Sequence, residues 1–201
     1  MIRLYDYPEC PFCQKVRIVL AEKDLEYDRL HVDLHKGEQK TPEFLKLNPY
    51  GKVPVLIDDD VVVYDSTIIN EYLDDEYPNP ALMPEDSAGR ARVRQLEDFC
   101  DNSFMPPAGL ILAEMHKPEA ERDAERLRHY QSEMGRVLGR LEGSLDGKPF
   151  LVGDFSLADI AFAPRVMILA QLGIEVDARL HNVAAWIGRL RERPSVRALG
   201  L

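Results

Sequence analysis

The stretch Tyr77-Pro78-Asn79-Pro80-Ala81-Leu82-Met83-Pro84 sets three prolines in eight positions. Each fixes φ and removes a backbone donor, so neither a helix nor a central strand can run through it. The chain on either side has a different character. Before the break, residues 2–5 alternate apolar and polar as a short strand does. In residues 11–23, Phe12, Val16, Val19 and Leu20 fall on one helical face. Residues 27–32 read as a second strand. Thr41-Pro42-Glu43-Phe44-Leu45 opens a short helix with proline in its first turn, and Asn48-Pro49-Tyr50-Gly51 is turn chemistry. The apolar runs 53–57 and 61–64, joined by Asp58-Asp59-Asp60, predict an antiparallel hairpin. Residues 66–77 predict a helix with Ile68, Ile69, Tyr72 and Leu73 inward. The order is β-α-β-α-β-β-α.

After the break no strand signal appears. Residues 87–115, 119–145, 156–172 and 181–191 all read as helices with charged outer faces. The expected fold class is α/β plus all-α: an α/β domain over residues 1–77, a proline-rich linker over 78–86 and a helical-bundle domain over 87–201. A chain of 201 residues is long enough for two small cores.

Charge and length narrow the function. The net charge is −10, and no Lys/Arg cluster stands out against that background, so nucleic acid is not an expected ligand. No apolar run reaches membrane-spanning length, and Met1-Ile2-Arg3-Leu4-Tyr5-Asp6 lacks the apolar core of a signal peptide. A cytoplasmic protein without membrane contact is expected. Three cysteines in a reducing compartment make a poor disulfide framework. A structural zinc site needs four ligands, and there is no second cysteine pair to complete one. The histidines are scattered; His31 and His35 straddle a strand end and read as solvated side chains. No metal is expected.

Cys10-Pro11-Phe12-Cys13 is the stretch that carries chemistry. If residues 2–5 are a strand and Pro11 is the first residue of a helix, Cys10 is the N-cap. Unpaired N–H groups and the positive end of the helix dipole then converge on its sulfur. Such a setting favours thiolate and lowers the pKa from about 8.5. Cys13 lies within reach of a disulfide to Cys10. The alternative is that both are small buried hydrophobes. Cys100 lies in mid-helix and reads as packing.

YPECPFCQKVRIVLAEK, NPYGKVPVL, YDSTIINEYL and GDFSLADIAFAP together resemble the cytosolic glutathione transferase superfamily across essentially the whole chain. The cysteine is similar to that of the thiol-type members: omega-class, dehydroascorbate-reductase-like and glutaredoxin-like enzymes. Stringent-starvation-protein-like proteins are near relatives. The resemblance implies a thioredoxin-like first domain, a homodimer, and glutathione as co-substrate beside a small electrophilic or disulfide substrate. It departs from the classes that ionise glutathione with Tyr or Ser; Tyr5 and Tyr7 stand near, but Cys10 fills the slot.

The resemblance also implies a glutathione site. Pro11 and Phe12 would border it. Val53-Pro54 would be cis, turning the Val53 backbone outward to pair with the ligand as an added strand does. Ser66, read as a helix N-cap, would hold the γ-glutamyl carboxylate, and Asp65 would steer the ammonium or simply cap. Lys36, Lys40 and Lys52 are candidates for the glycyl carboxylate, with Lys40 favoured. The second substrate would lie between the halves near the helix that begins at Ser87, lined by Phe104, Met105, Pro106, Leu110 and His116. Ser156-Leu157-Ala158-Asp159 has the spacing of a capping box, with Phe155 and Ile160 placed for a hydrophobic staple. Cys10 and Cys13 are the expected catalytic pair, Cys13 either resolving Cys10 or packing beneath it. The reading is a glutathione-dependent thiol transferase or reductase. A non-catalytic adaptor binding a protein partner and conventional conjugation of electrophiles are the alternatives.

Overall fold

A computed structural model describes residues 1–201. Its backbone contacts divide the chain into two compact units, Met1–Leu82 and Met83–Leu201. The first holds β1 (Ile2–Asp6), α1 (Pro11–Glu22), β2 (Tyr27–His31), α2 (Pro42–Leu47), β3 (Val55–Asp58), β4 (Val61–Tyr64) and α3 (Ser66–Glu76). The sheet order is β2-β1-β3-β4. β1 and β2 are parallel, with Ile2 opposite Tyr27, and need the α1 crossover between them. β3 runs antiparallel to both β1 and β4. The β3–β4 turn is a tight one, with Asp59 at φ 50°.

α1 buries Cys13, Val16, Ile18, Val19 and Leu20, whereas Phe12 is only half-buried. The sequence placed Phe12 on the inward face; it lies one turn too early on the helix to reach the core. Ile68 is corrected in the same way. It is 57% exposed, because the buried arc of α3 runs through Ser66, Ile69, Asn70, Leu73 and Asp74.

One buried ion pair ties the ends of this unit together. Lys23 Nζ donates to Asp74 Oδ1 at 2.8 Å, to the Tyr77 carbonyl at 2.7 Å and to the Pro80 carbonyl at 2.9 Å. Asp74 also accepts the Leu82 N–H. Removing one member of such a pair leaves a charge buried without compensation. Lys23→Met is expected to cost about 3–5 kcal/mol, read as a lowered urea midpoint.

In the second unit the predicted helix over 87–115 is interrupted by π-helical winding. α4 (Ser87–Phe99) runs into a π-helical turn (Cys100–Phe104), then α5 (Met105–Met115). Pro106 and Pro107 have no N–H to give to the α-helical ladder, which accounts for the wider turn ahead of them. α6 (Ala124–Ser144) begins five residues later than the sequence predicted, because Asp123 caps it by accepting from the N–H groups of Glu125 and Arg126. α7 (Leu157–Val166) stops well short of residue 172, soon after its internal Pro164. α8 (His181–Glu192) and α9 (Pro194–Arg197) complete the unit.

The Ser156–Asp159 capping box forms as its spacing predicts. Asp159 does more than cap. It is wholly buried and accepts from Ser156 N and Leu151 N at 3.0 Å, Trp186 Nε1 at 2.9 Å and Ser156 Oγ at 3.1 Å. Phe155 sets its ring against Phe150 and lies 3.6 Å from the Arg193 guanidinium. No helix in either unit is long and apolar enough to cross a membrane.

Candidate active site

Cys10 caps α1, with Pro11 at the first helical position. The turn leading to it, Tyr7-Pro8-Glu9, is closed by the Cys10 N–H donating to the Tyr7 carbonyl at 3.1 Å. Cys13 is fully buried in a cluster with Val32, Phe44, Val53 and Val55, and Cys10 packs against that cluster from its rim. Both are free thiols. The Cys10 sulfur closes no formal capping hydrogen bond. The Cys13 side chain nevertheless stabilises its thiolate, as do the N–H groups of Cys13 and Phe12, and together they lower its pKa to about 7 against the opposing effect of burial. Burial pushes the Cys13 thiol up, and the adjacent Cys10 adds to that. One thiol is therefore set to ionise and the other to stay protonated.

The leading cause of the Cys10 shift is its neighbour's side chain, which the sequence argument credited to the helix end. Alkylation by iodoacetamide against pH is expected to show an inflection at about 7. It should vanish in Cys10→Ala and move up toward the ordinary thiol value of about 8.5 in Cys13→Ala. An unmoved inflection in Cys13→Ala would assign the whole shift to the helix N-terminus.

Beside the cap lies a cleft of about 560 Å³. Phe12 borders it from α1, Val53 and Pro54 from the loop before β3, and Asp65 and Ser66 from the start of α3. The Val53–Pro54 peptide is cis, as the resemblance implied; the second cis peptide, Asn79–Pro80, was not foreseen. The cap of α3 needs correction. Asp65, not Ser66, is the N-cap, accepting from the N–H groups of Thr67 and Ile68. Ser66 is the first helical residue. Asp65 holds φ at 73°, a conformation that costs a non-glycine residue on the order of 1–3 kcal/mol and recurs at ligand-binding sites.

The three candidate lysines part company. Lys52 lines the cleft. Lys40 donates from Nζ to the Tyr50 carbonyl at 3.3 Å, beneath Gly51, and Lys36 pairs with Asp33 at 2.9 Å. Tyr50 and Tyr64, 6.0 Å apart edge to face, also line the cleft, and the sequence pointed to neither as a site residue. The turn signal at Asn48–Gly51 marked the loop but not the direction of its aromatic ring.

His31 and His35 both lie against the Tyr7 ring, and Tyr7 Oη and His35 Nε2 share a hydrogen bond at 2.9 Å. Phe104 and Met105, expected to line a substrate pocket, are core residues of the second unit, with Phe104 against Phe162. The helical stripe they form faces inward. Pro106 and Leu110 line a groove of about 340 Å³ in that unit, and His116 caps the C-terminus of α5. Cys100 is buried and donates to the Ala161 carbonyl.

The family model described as the glutathione S-transferase N-terminal domain matches residues 4–81, and that of the C-terminal domain matches residues 104–194. A stringent starvation protein A homolog from Pasteurella multocida is 33% identical over 94% of this chain and 86% of its own. Glutathione S-transferase Z2 from Arabidopsis thaliana is 35% identical over 82% of this chain and 75% of its own. Among solved structures, glutathione transferase F2 from Populus trichocarpa superposes with a TM-score of 0.86 at 26% identity, covering 99% of this chain and 97% of that one. Ure2p in complex with S-hexylglutathione superposes with a TM-score of 0.88 at 28% identity, covering 98% of this chain and 97% of that one.

Proposed function

The chain belongs to the glutathione S-transferase superfamily, and on that premise we propose that it is a glutathione-dependent thiol transferase with Cys10 as nucleophile. The observation that carries this reading is a helix-capping thiol ionised near neutral pH, beside a cleft lined by Val53, Pro54 and Ser66. Glutathione lies in that cleft as an added strand against the Val53 backbone. Its γ-glutamyl carboxylate meets the hydroxyl and N–H of Ser66 at the start of α3, and its glycyl carboxylate meets Lys52. Asp65, already accepting two backbone donors, still offers carboxylate charge to the ammonium. Phe12 forms the α1 wall of the cleft, while Pro11 starts the helix that carries it.

In the reaction the Cys10 thiolate attacks the glutathionyl sulfur of a mixed disulfide. That S–S bond breaks, the other thiol leaves as thiolate and takes up a proton, and Cys10 is left bonded to glutathione. A second glutathione thiolate attacks the glutathione sulfur, releasing glutathione disulfide and the Cys10 thiolate. Cys13 stays protonated beneath it. The functional unit is a homodimer and the setting cytoplasmic.

A second reading, an adaptor that binds a protein partner, is favoured by the similarity to stringent starvation protein A homologs. Retention on a glutathione resin, followed by turnover of hydroxyethyl disulfide, dehydroascorbate and an aryl halide, separates the possibilities. Disulfide or dehydroascorbate turnover supports the thiol transferase, and aryl halide turnover alone would replace it with conjugation. A folded protein that neither binds glutathione nor turns over any of the three would leave the adaptor.

A further inference from the structure

The Pro8 carbonyl, in the turn that carries Cys10, receives two side-chain donors from α1. Gln14 Nε2 lies 3.0 Å away and Arg17 Nη2 2.8 Å away. The same guanidinium reaches back to β1, where Arg17 Nε stands 3.7 Å from Asp6 Oδ1. Asp6 is fully buried at the end of its strand, and its other oxygen pairs with Arg29 on β2. We propose that Arg17 is the positioning residue of the nucleophile, tying the buried Asp6 carboxylate to the Pro8 carbonyl so that the Tyr7–Cys10 turn is held against the first turn of α1. This rests on Cys10 being the nucleophile.

The need for such a clamp follows from the turn itself. Pro8 has no N–H, and the turn's own backbone closure is the single Cys10–Tyr7 hydrogen bond. Gln14 ties the Pro8 carbonyl only to its own helix, so without Arg17 nothing but the strand's own backbone fixes the turn to β1. Guanidinium suits the task because its charge is spread over a rigid plane: Nη2 donates to the carbonyl while Nε faces the carboxylate as an ion pair, without a hydrogen bond between them. Lysine offers a single point of charge.

The clamp is also electrostatic. Asp6 acts on both Cys10 and Cys13 as a nearby negative charge, and each thiol is raised by it. Arg17 from α1 and Arg29 from β2 offset that charge. Tyr5 and Tyr7 on the β1 side and Tyr64 from β4 also pack against the cluster that holds the thiols, beside Phe44 and Leu47 of α2 and Val53 and Val55 of the β3 segment. Loss of Arg17 therefore leaves Asp6 less compensated and loosens the turn, and both changes disfavour the Cys10 thiolate.

The test is iodoacetamide alkylation of Cys10 against pH in the full chain, without glutathione, for Arg17→Met, Arg17→Lys and Asp6→Asn, with folding checked by circular dichroism. Arg17→Met should raise the inflection by about one pH unit, so that alkylation at pH 6 falls about tenfold, the change in thiolate fraction that one unit brings. Arg17→Lys should recover part of it. Asp6→Asn should move the inflection the other way, which general loosening of the fold would not do. An unchanged inflection in folded Arg17→Met, or a shift of both variants in the same direction, overturns the proposal. If Arg17→Met does not fold, Arg17→Lys decides: an inflection raised by a fraction of a pH unit supports the clamp, and an unchanged or lowered one overturns it. No glutathione enters this assay, so its failure is distinct from failure of disulfide turnover, which bears on the thiol transferase alone.

Discussion

Cys10→Ser is expected to abolish turnover of hydroxyethyl disulfide, while Cys13→Ser keeps most of it. The serine hydroxyl at position 10 is neither ionised near neutral pH nor able to form a mixed disulfide, so the first displacement is lost outright. Cys13 cannot substitute, since its thiol is fully buried and held protonated by that burial. Abundant glutathione can resolve the Cys10 mixed disulfide, so a second protein thiol is not required in the cycle. Cys13→Ser still presents a hydroxyl donor to the Cys10 sulfur, which is why serine should be milder there than alanine. Mass spectrometry of the stalled enzyme offers an independent check: one added glutathione on wild type and Cys13→Ser, none on Cys10→Ser. Loss of turnover in both variants, each still folded, would make the two thiols an obligate redox couple.

Asp159→Ala is expected to unfold the helical unit at ambient temperature. The substitution strands four donors in the interior: the N–H groups of Leu151 and Ser156, the Ser156 hydroxyl and the Trp186 indole. At about 1–3 kcal/mol for each of the four buried unsatisfied groups, the loss is about 4–12 kcal/mol, comparable to the whole stability of a small domain. Tryptophan fluorescence reads the result directly, because Trp186 is the chain's one tryptophan. Burial, the dominant influence, raises the Asp159 pKa to about 6 against the pull of its donors. A folded value above the unfolded one means that this carboxyl stabilises the fold most below the unfolded pKa, about 3.9, and that the contribution is lost as pH rises through about 6. Urea midpoints of the wild type should therefore fall over that interval more steeply than those of Asp159→Asn. Equal slopes would show that the carboxylate's four donors fully offset its burial.

Much of the architecture was legible in the chain because its signals are local. The prolines at 78, 80 and 84 bar a helix or central strand from running through them, and the two compact units part after Leu82. Strand and helix periods over residues 2–76 gave the element order. Pro11 at the first helical position put Cys10 at the cap, and the Ser156–Asp159 spacing gave the capping box. Each of these depends on residues within one turn of one another. Tertiary structure decided what depends on approach from afar. Lys23 meets Asp74 across 51 positions, Arg29 meets Asp6 across 23 and Trp186 meets Asp159 across 27, and no local period encodes such pairings. The same holds for Lys52 reaching the cleft while Lys40 is drawn to the Tyr50 carbonyl, since both sit in segments of similar composition. Even a local choice was decided from outside. Asp65 and Ser66 are both competent caps, and the positive φ at Asp65 as the chain leaves β4 for α3 made the aspartate the cap and the serine the first helical residue.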